Sequence, residues 1–352
     1  MRILRRRERR HSGGTAIADR PGTSVADFDG TDSELAAEIE RLSAANQADA
    51  ERETERRLVA LRHIAGVRAL AAAGPRPEFP EPDRDRLPPA GSLPEFAAAD
   101  LTPGLIRAAI LRDGFILVRQ LVPRDEALSL AAEIDRAFAE REAFLAGREP
   151  AEGYYEEFPP VTPDEQSPIR PWIREGGGLL AVDSPMLCAA MTELFERTGI
   201  LRLVAGYLGE PPLISLQKTT LRKAEPAVAG AWHQDGSFMG DVRALNLWLS
   251  LSRCGDESPG LDIVPRRLDD LVRQQTDEAL LDIQVSQRMA EQAAGDTQIV
   301  RPVFEPGDAL FFDELFLHKT GSEPSMPKPR FAIENWFFGA SAFPLEYGPL
   351  AL

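Results

Sequence analysis

The stretch "AGAWHQDGSFMG", residues 229–240, sets His233 two positions before Asp235 with glycines on either side, in a chain of 352 residues that holds four histidines. Two readings of the pair compete. A histidine and an aspartate at a surface turn can bond to each other and to water. Alternatively, the pair is half of a metal site. Side chains two apart on a strand point to one face, because side-chain direction alternates there. The rest of the chain must supply what the pair lacks.

His11 lies in the N-terminal tail, and His63 lies in a helical stretch with no acidic or histidine partner one turn away, which reads as structural. That leaves His318, in "GDALFFDELFLHKTG" (residues 307–321), just after a strand. Brought from a neighbouring strand, it completes two imidazoles and one carboxylate. Such a set fills one face of an octahedral ion and leaves adjacent positions open, which suits ferrous iron. The same residues also make a hydrolytic zinc site. Arg330 opens "RFAIENWFFG" (residues 330–339). A guanidinium opposite a metal holds a carboxylate in a planar, two-pronged contact. A keto-acid with a second carboxylate at its far end, such as 2-oxoglutarate, would bridge metal and arginine. An exposed, ion-paired arginine is the plainer alternative.

Around these residues the pattern is β-rich. Short runs ("PLISLQKTTLRK", "LNLWLSLS", "GLDIV", "QIVRPVF", "ALFFD" and "RFAIENWFF") follow one another with turn signals between them, as in an antiparallel sandwich or barrel. A helical insertion, roughly residues 268–294, interrupts the series. Upstream, helix signals dominate. "TDSE" at residues 31–34 is a capping box. Leu35, Ile39 and Leu42, then Leu58, Leu61, Ile64 and Leu70, keep helical spacing across a polar gap, which predicts one long helix or a helical pair. Thr102, Pro103 and Gly114 mark the start and stop of another helix. The segment 148–178 is rich in Pro, Gly and Glu yet carries Tyr154, Tyr155, Arg170, Trp172 and Arg174, and reads as a lid over a pocket or a plain surface loop.

Composition bounds the class. Hydrophobic residues make up 43% and charged residues 27%, as in a soluble globular protein. The net charge of −16 argues against a nucleic-acid surface. No run is long and apolar enough for a membrane span, and the basic N-terminus lacks the apolar core of a secretory signal. Cys188 and Cys254 form no paired motif and read as reduced thiols of a cytoplasmic protein. The expected organisation is a disordered basic tail (1–30), a helical extension (31–73) that can dock or pair with a second copy as a homo-oligomer, and a Pro-rich linker (74–98). The main domain follows at 99–345. The linker, with eight prolines across residues 74–103, predicts that the N-terminal arm packs separately from the barrel.

From "RDGFILVRQLVPRDEALSLAAEID" to "RFAIENWFF", over most of residues 105–340, the chain resembles the phytanoyl-CoA dioxygenase (PhyH) family of iron and 2-oxoglutarate oxygenases. "WHQDG", "PGDALFFDELFLHKTG" and "KPRFAIENW" carry the resemblance, in family order. It implies a double-stranded β-helix, a jelly-roll or cupin-like core that is mostly β with helices packed outside. It also implies Fe(II) ligation by His233, Asp235 and His318, 2-oxoglutarate binding by Arg330, and O2 as co-substrate. Where many members carry a Pro-Gly-Ser-His segment, this chain reads "GLDIVPRRLDD", and residues 1–98 have no counterpart.

Further pocket residues are expected from alternation. In "LNLWLSLS" the leucines are expected to pack between sheets, leaving Asn246 and Trp248 toward the pocket. Gln217 and Thr219 alternate on "SLQKTT", and Thr320 follows the distal histidine. The expected activity is 2-oxoglutarate-dependent dioxygenation, most simply hydroxylation of a small organic metabolite. Asp235 argues against halogenation, for which related enzymes carry a small residue at that position. A silent metabolite-binding relative and a hydrolytic zinc enzyme are the alternatives.

Overall fold

A computed structural model describes residues 28–159, 170–226, 230–272 and 284–352. The basic tail up to residue 27, and parts of the 148–178 and 268–294 segments, lie outside the described residues.

The N-terminal signals form a helical pair, α1 (Asp32–Ala48) and α2 (Arg52–Ala71). The capping box closes as read: Glu34 N–H donates to Thr31 Oγ1 at 3.3 Å and Thr31 N–H to Glu34 Oε2 at 2.7 Å. Leu35, Leu42, Leu58 and Leu61 bury one another between the two helices. Strand β1 (Glu95–Ala97) precedes α3 (Pro103–Asp113), where Thr102 Oγ1 accepts from Leu105 N–H at 3.1 Å. Gly114 ends α3 at φ 87°, a left-handed conformation that favours glycine. There follow β2 (Phe115–Arg119), α4 (Arg124–Leu145), α5 (Arg170–Glu175), β3 (Gly178–Leu180), α6 (Pro185–Arg197) and α7 (Ile200–Leu208).

The β-rich half comprises β4 (Pro212–Ser215), β5 (Thr219–Ala224), the single-turn α8 (Gly236–Met239), β6 (Ala244–Ser250) and β7 (Gly260–Ile263). It continues with α9 (Gln287–Ala294), β8 (Ala309–Phe312), β9 (His318–Gly321), β10 (Arg330–Gly339) and β11 (Pro349–Ala351). A major sheet runs β1-β2-β8-β6-β10-β4-β11, with β5 beside β10 and β3 beside β5. Among the described strands only the β1–β2 pair is parallel. The minor sheet pairs β7 with β9 and is extended by single bridges, Ile263 to Val300 on one side and His233 to His318 on the other. Side chains from both sheets form one apolar interior, including Leu261 and Ile263 opposite Trp248, Leu310, Phe312 and Trp336. This is the double-stranded β-helix. Helix occupies 41% of the described residues and strand 20%, because long helices clothe a core of short strands.

Three expectations change. The leucines of β6 do not pack between the sheets. Leu245, Leu247 and Leu249 join Ile333, Phe337 and Phe311 on the outer face, under the helices, which leaves Asn246 and Trp248 inside. "PLISLQKTTLRK" is not one strand, since a turn at residues 216–218 separates β4 from β5. "QIVRPVF" contributes only isolated bridges at Val300 and Phe304, with Pro302 between them unable to donate to a ladder.

The N-terminal arm does not pack separately either. Helix α2 lies against β11 and α6. His63 is fully buried, its Nδ1 2.6 Å from the Pro349 carbonyl oxygen, so the structural reading of this histidine holds. The Pro-rich segment is extended but anchored. Phe79 sits between the guanidinium groups of Arg107 and Arg243, 4.1 and 4.0 Å from its ring centre, and Arg243 Nη2 donates to Glu78 O at 2.9 Å. Proline content sets the backbone as extended, but it says nothing about what the intervening side chains dock on.

Candidate metal centre

His233 and His318 exchange backbone hydrogen bonds, N–H to O at 3.0 and 3.2 Å, so the minor sheet places their rings side by side with centroids 4.5 Å apart. Asp235 reaches the same point by a different route from strand alternation. Its backbone is already helical, φ −64° and ψ −25°, at the entry to α8. The residues around it are clipped to the turn before β9: Gln234 Nε2 donates to Leu315 O at 2.7 Å and Gly236 N–H to Glu314 O at 2.8 Å. Gln234 Oε1 also accepts from Val272 N–H at 2.7 Å. One ligand atom from each of His233, Asp235 and His318 lies within 4.8 Å of the others.

The electronic state of the donors suits a cation. His233 Nδ1 lies 2.8 Å from Ala231 O, and His318 Nδ1 lies 3.0 Å from Phe316 O. A carbonyl only accepts, so each Nδ1 carries a proton, which leaves Nε2 as the nitrogen of each ring that faces a cation. Burial, aided by the neighbouring His233, lowers the His318 pKa to about 4, which keeps the ring neutral. Asp235 is 3% exposed. Its Oδ1 lies 3.7 Å from His233 Nε2, while Oδ2 accepts the indole N–H of Trp336 at 3.1 Å. Phe316 stacks on His318 at 5.6 Å and Phe312 lies 5.0 Å from it, forming an apolar wall.

Arg330 begins β10 and faces the same interior, its guanidinium 5.2 Å from the Trp248 ring centre. It is 2% exposed, and burial pulls its pKa down to about 10. Its Nη1 reaches Gly260 O at a long 3.4 Å and its Nε has no partner. A buried cation with so little compensation is costly unless an anion joins it. An orphaned guanidinium inside the barrel therefore fits the far carboxylate of 2-oxoglutarate, as the histidine and aspartate donors fit iron(II).

The register decides the remaining positions. Asn246 and Trp248 pair directly with Trp336 and Glu334, so all four share the inner face. Asn246 is fully buried and neither of its amide atoms has a partner. Thr320 lies two along from His318 on β9 and so on the same side of the strand. Thr219 does not join them. It pairs with Asn335 on the outer face and donates its hydroxyl to Asn335 Oδ1 at 2.8 Å. Gln217 lies in the turn, where its amide donates to Glu346 O at 3.2 Å. The break between β4 and β5 shifted the alternation that had grouped Gln217 with Thr219.

Several inward residues escaped the sequence reading. Glu334 and Trp336 follow Arg330 at even spacing on β10, so alternation from Arg330 already contained them. Glu334 accepts from Arg222 Nε at 2.8 Å. Burial by itself would raise its pKa, but Arg222, Lys218 and the two imidazoles hold it below the usual carboxylate range. Lys218 had no such signal, because it sits in the turn.

The family model for phytanoyl-CoA dioxygenase (PhyH) matches residues 110–331. The chain belongs to this family, within the iron- and 2-oxoglutarate-dependent oxygenases. No curated protein sequence matches the chain. Among solved structures it is similar to AviO1 from Streptomyces viridochromogenes Tue57, at 20% identity over 69% of this chain and 98% of that one, with a TM-score of 0.43. It is also similar to iron-bound EctD from S. alaskensis, at 19% identity over 69% of this chain and 79% of that one, TM-score 0.48. A third is the α-ketoglutarate-dependent carbocyclase SnoK from nogalamycin biosynthesis, at 13% identity over 68% and 85%, TM-score 0.45. No described helix is long and apolar enough to cross a membrane.

Proposed function

We propose that the protein hydroxylates a small organic molecule, with His233, Asp235 and His318 as the iron(II) ligands and Arg330 as the anchor for 2-oxoglutarate. The convergence of the three donors within 4.8 Å carries this reading. When bound, iron and 2-oxoglutarate supply the oxidative activation of dioxygen. The chain's own residues do the rest. The two Nδ1–carbonyl bonds aim both Nε2 atoms, Trp336 orients Asp235, and Arg330 takes the distal carboxylate. Phe312, Phe316 and Trp248 keep the interior dry, which strengthens each polar contact there. Asn246, with both amide atoms free, is suited to hydrogen-bond the co-substrate. Asp235 occupies the position that a halogenase keeps small.

A hydrolytic zinc site would need no buried, unpaired guanidinium, so Arg330 favours the oxygenase over that alternative. A silent relative would have no need of three converging ligand atoms. Anaerobic addition of iron(II) and then 2-oxoglutarate tests the reading. A visible charge-transfer band that requires both is expected, and its absence would remove the proposal.

A further inference from the structure

Lys218 stands at the edge of the same interior, in the turn between β4 and β5. It is half-buried. Its Nζ lies 3.7 Å from the centre of the Phe238 ring, 5.4 Å from Tyr347 and 6.0 Å from Trp172. No carboxylate among the described residues pairs with it. The aromatic group is held in place: Tyr347 donates its hydroxyl to Phe238 O at 2.7 Å, and Phe238 N–H donates to Asp235 O at 3.1 Å. The cage is therefore joined directly to a metal ligand. Lys218 is within electrostatic reach of Asp235 and Glu334, which oppose the lowering of its pKa by burial. Trp172, on α5, is 44% exposed and so leaves part of its ring open to a ligand.

The charges of the site single out this ammonium. Arg222 and Glu334 neutralise each other as an ion pair. Iron(II), Asp235, the 2-oxoglutarate dianion and Arg330 would also cancel once metal and co-substrate are bound. Lys218 is what remains, a cation on aromatic faces with no carboxylate in ion-pair contact among the described residues.

We propose that Lys218 is a specificity-determining residue that takes the anionic group of the substrate, so that the substrate is a monoanion, most simply a carboxylate, on an apolar or aromatic body. The ammonium receives the charge, while Phe238, Tyr347 and the exposed Trp172 cover the apolar part. This deepens the oxygenase reading and rests on it.

The test uses the full chain loaded with iron(II) and 2-oxoglutarate without oxygen. Calorimetry then compares phenylacetate, hydrocinnamate and indoleacetate with their uncharged amides, and benzylsulfonate separates a carboxylate-selective site from one that takes any monoanion. At least one acid should bind about tenfold or more tightly than its amide, the worth of one charge-assisted contact. Lys218→Met should abolish that preference and Lys218→Arg should restore part of it, both with the charge-transfer band retained. If no acid exceeds its amide in the unsubstituted protein, or if the preference survives Lys218→Met, the assignment is overturned. The wild-type comparison stands whether or not a variant folds. A missing band in the unsubstituted protein would instead count against the iron and 2-oxoglutarate reading itself.

Discussion

Trp336 donates its indole N–H to Asp235 Oδ2 at 3.1 Å, so a residue of the major sheet holds the carboxylate that the minor-sheet side brings to the proposed metal site. Trp336 is fully buried, and its pairing partner Asn246 lies beside it. Losing such an orienting bond typically weakens metal binding about ten- to a hundredfold. Trp336→Phe is expected to lower iron(II) affinity on that scale, and also to cost about 1–3 kcal/mol of stability through the void it leaves. Metal titration with circular dichroism separates the two effects. Unchanged iron affinity would remove the orienting role.

The ligands themselves make a sharper test. His233→Ala, Asp235→Ala and His318→Ala are each expected to abolish 2-oxoglutarate turnover in a folded protein, because among the described residues the centre has three converging donors. Succinate formation is the readout. Full turnover by any one variant would sink the triad.

Arg330 lies apart from the triad and should separate from it kinetically. Arg330→Ala is expected to leave iron affinity nearly intact while raising the 2-oxoglutarate requirement by roughly two orders of magnitude or more. Arg330→Lys should recover only part, since an ammonium lacks the planar fork. An unchanged requirement would leave the iron site but take away the reason for naming this co-substrate.

Removal of residues 1–98 is expected to give insoluble or unfolded protein. Helix α2 covers β11, buries His63 at the Pro349 carbonyl, and brings Gly66 so close to Pro349 that an added Cβ would meet its backbone at 2.9 Å. Stripping that face exposes apolar surface worth about 25 cal/mol per Å². A soluble, active truncated protein starting at Ala99 would show that the arm is dispensable.

Both cysteines should resist thiol reagents at neutral pH in the folded protein and react once it is unfolded. Burial pushes the Cys188 thiol up to about 12 and the Cys254 thiol up to about 11, so the nucleophilic thiolate is scarce. Rapid labelling of either in the native state would contradict its burial.

What the sequence determined by itself was whatever depends on local chemistry. The capping box at Thr31 and the Thr102–Gly114 helix were legible because a cap is a contact between residues three or four apart. His233, Asp235 and His318 stood out because so few other histidines compete, and the alternation of β6 put Asn246 and Trp248 on one face. Tertiary structure decided which way faces point and what rests on what. The β6 leucines turned outward because the helices, not the second sheet, cover that side. Thr219 moved to the outer face because a turn at 216–218 restarts the alternation, and the same turn delivers Lys218 to the Phe238 ring. Helix α2 became part of the domain through β11, nearly three hundred residues later in the chain, as in the contact of His63 with Pro349. Pairings over such separations arise from packing, and no local pattern encodes them.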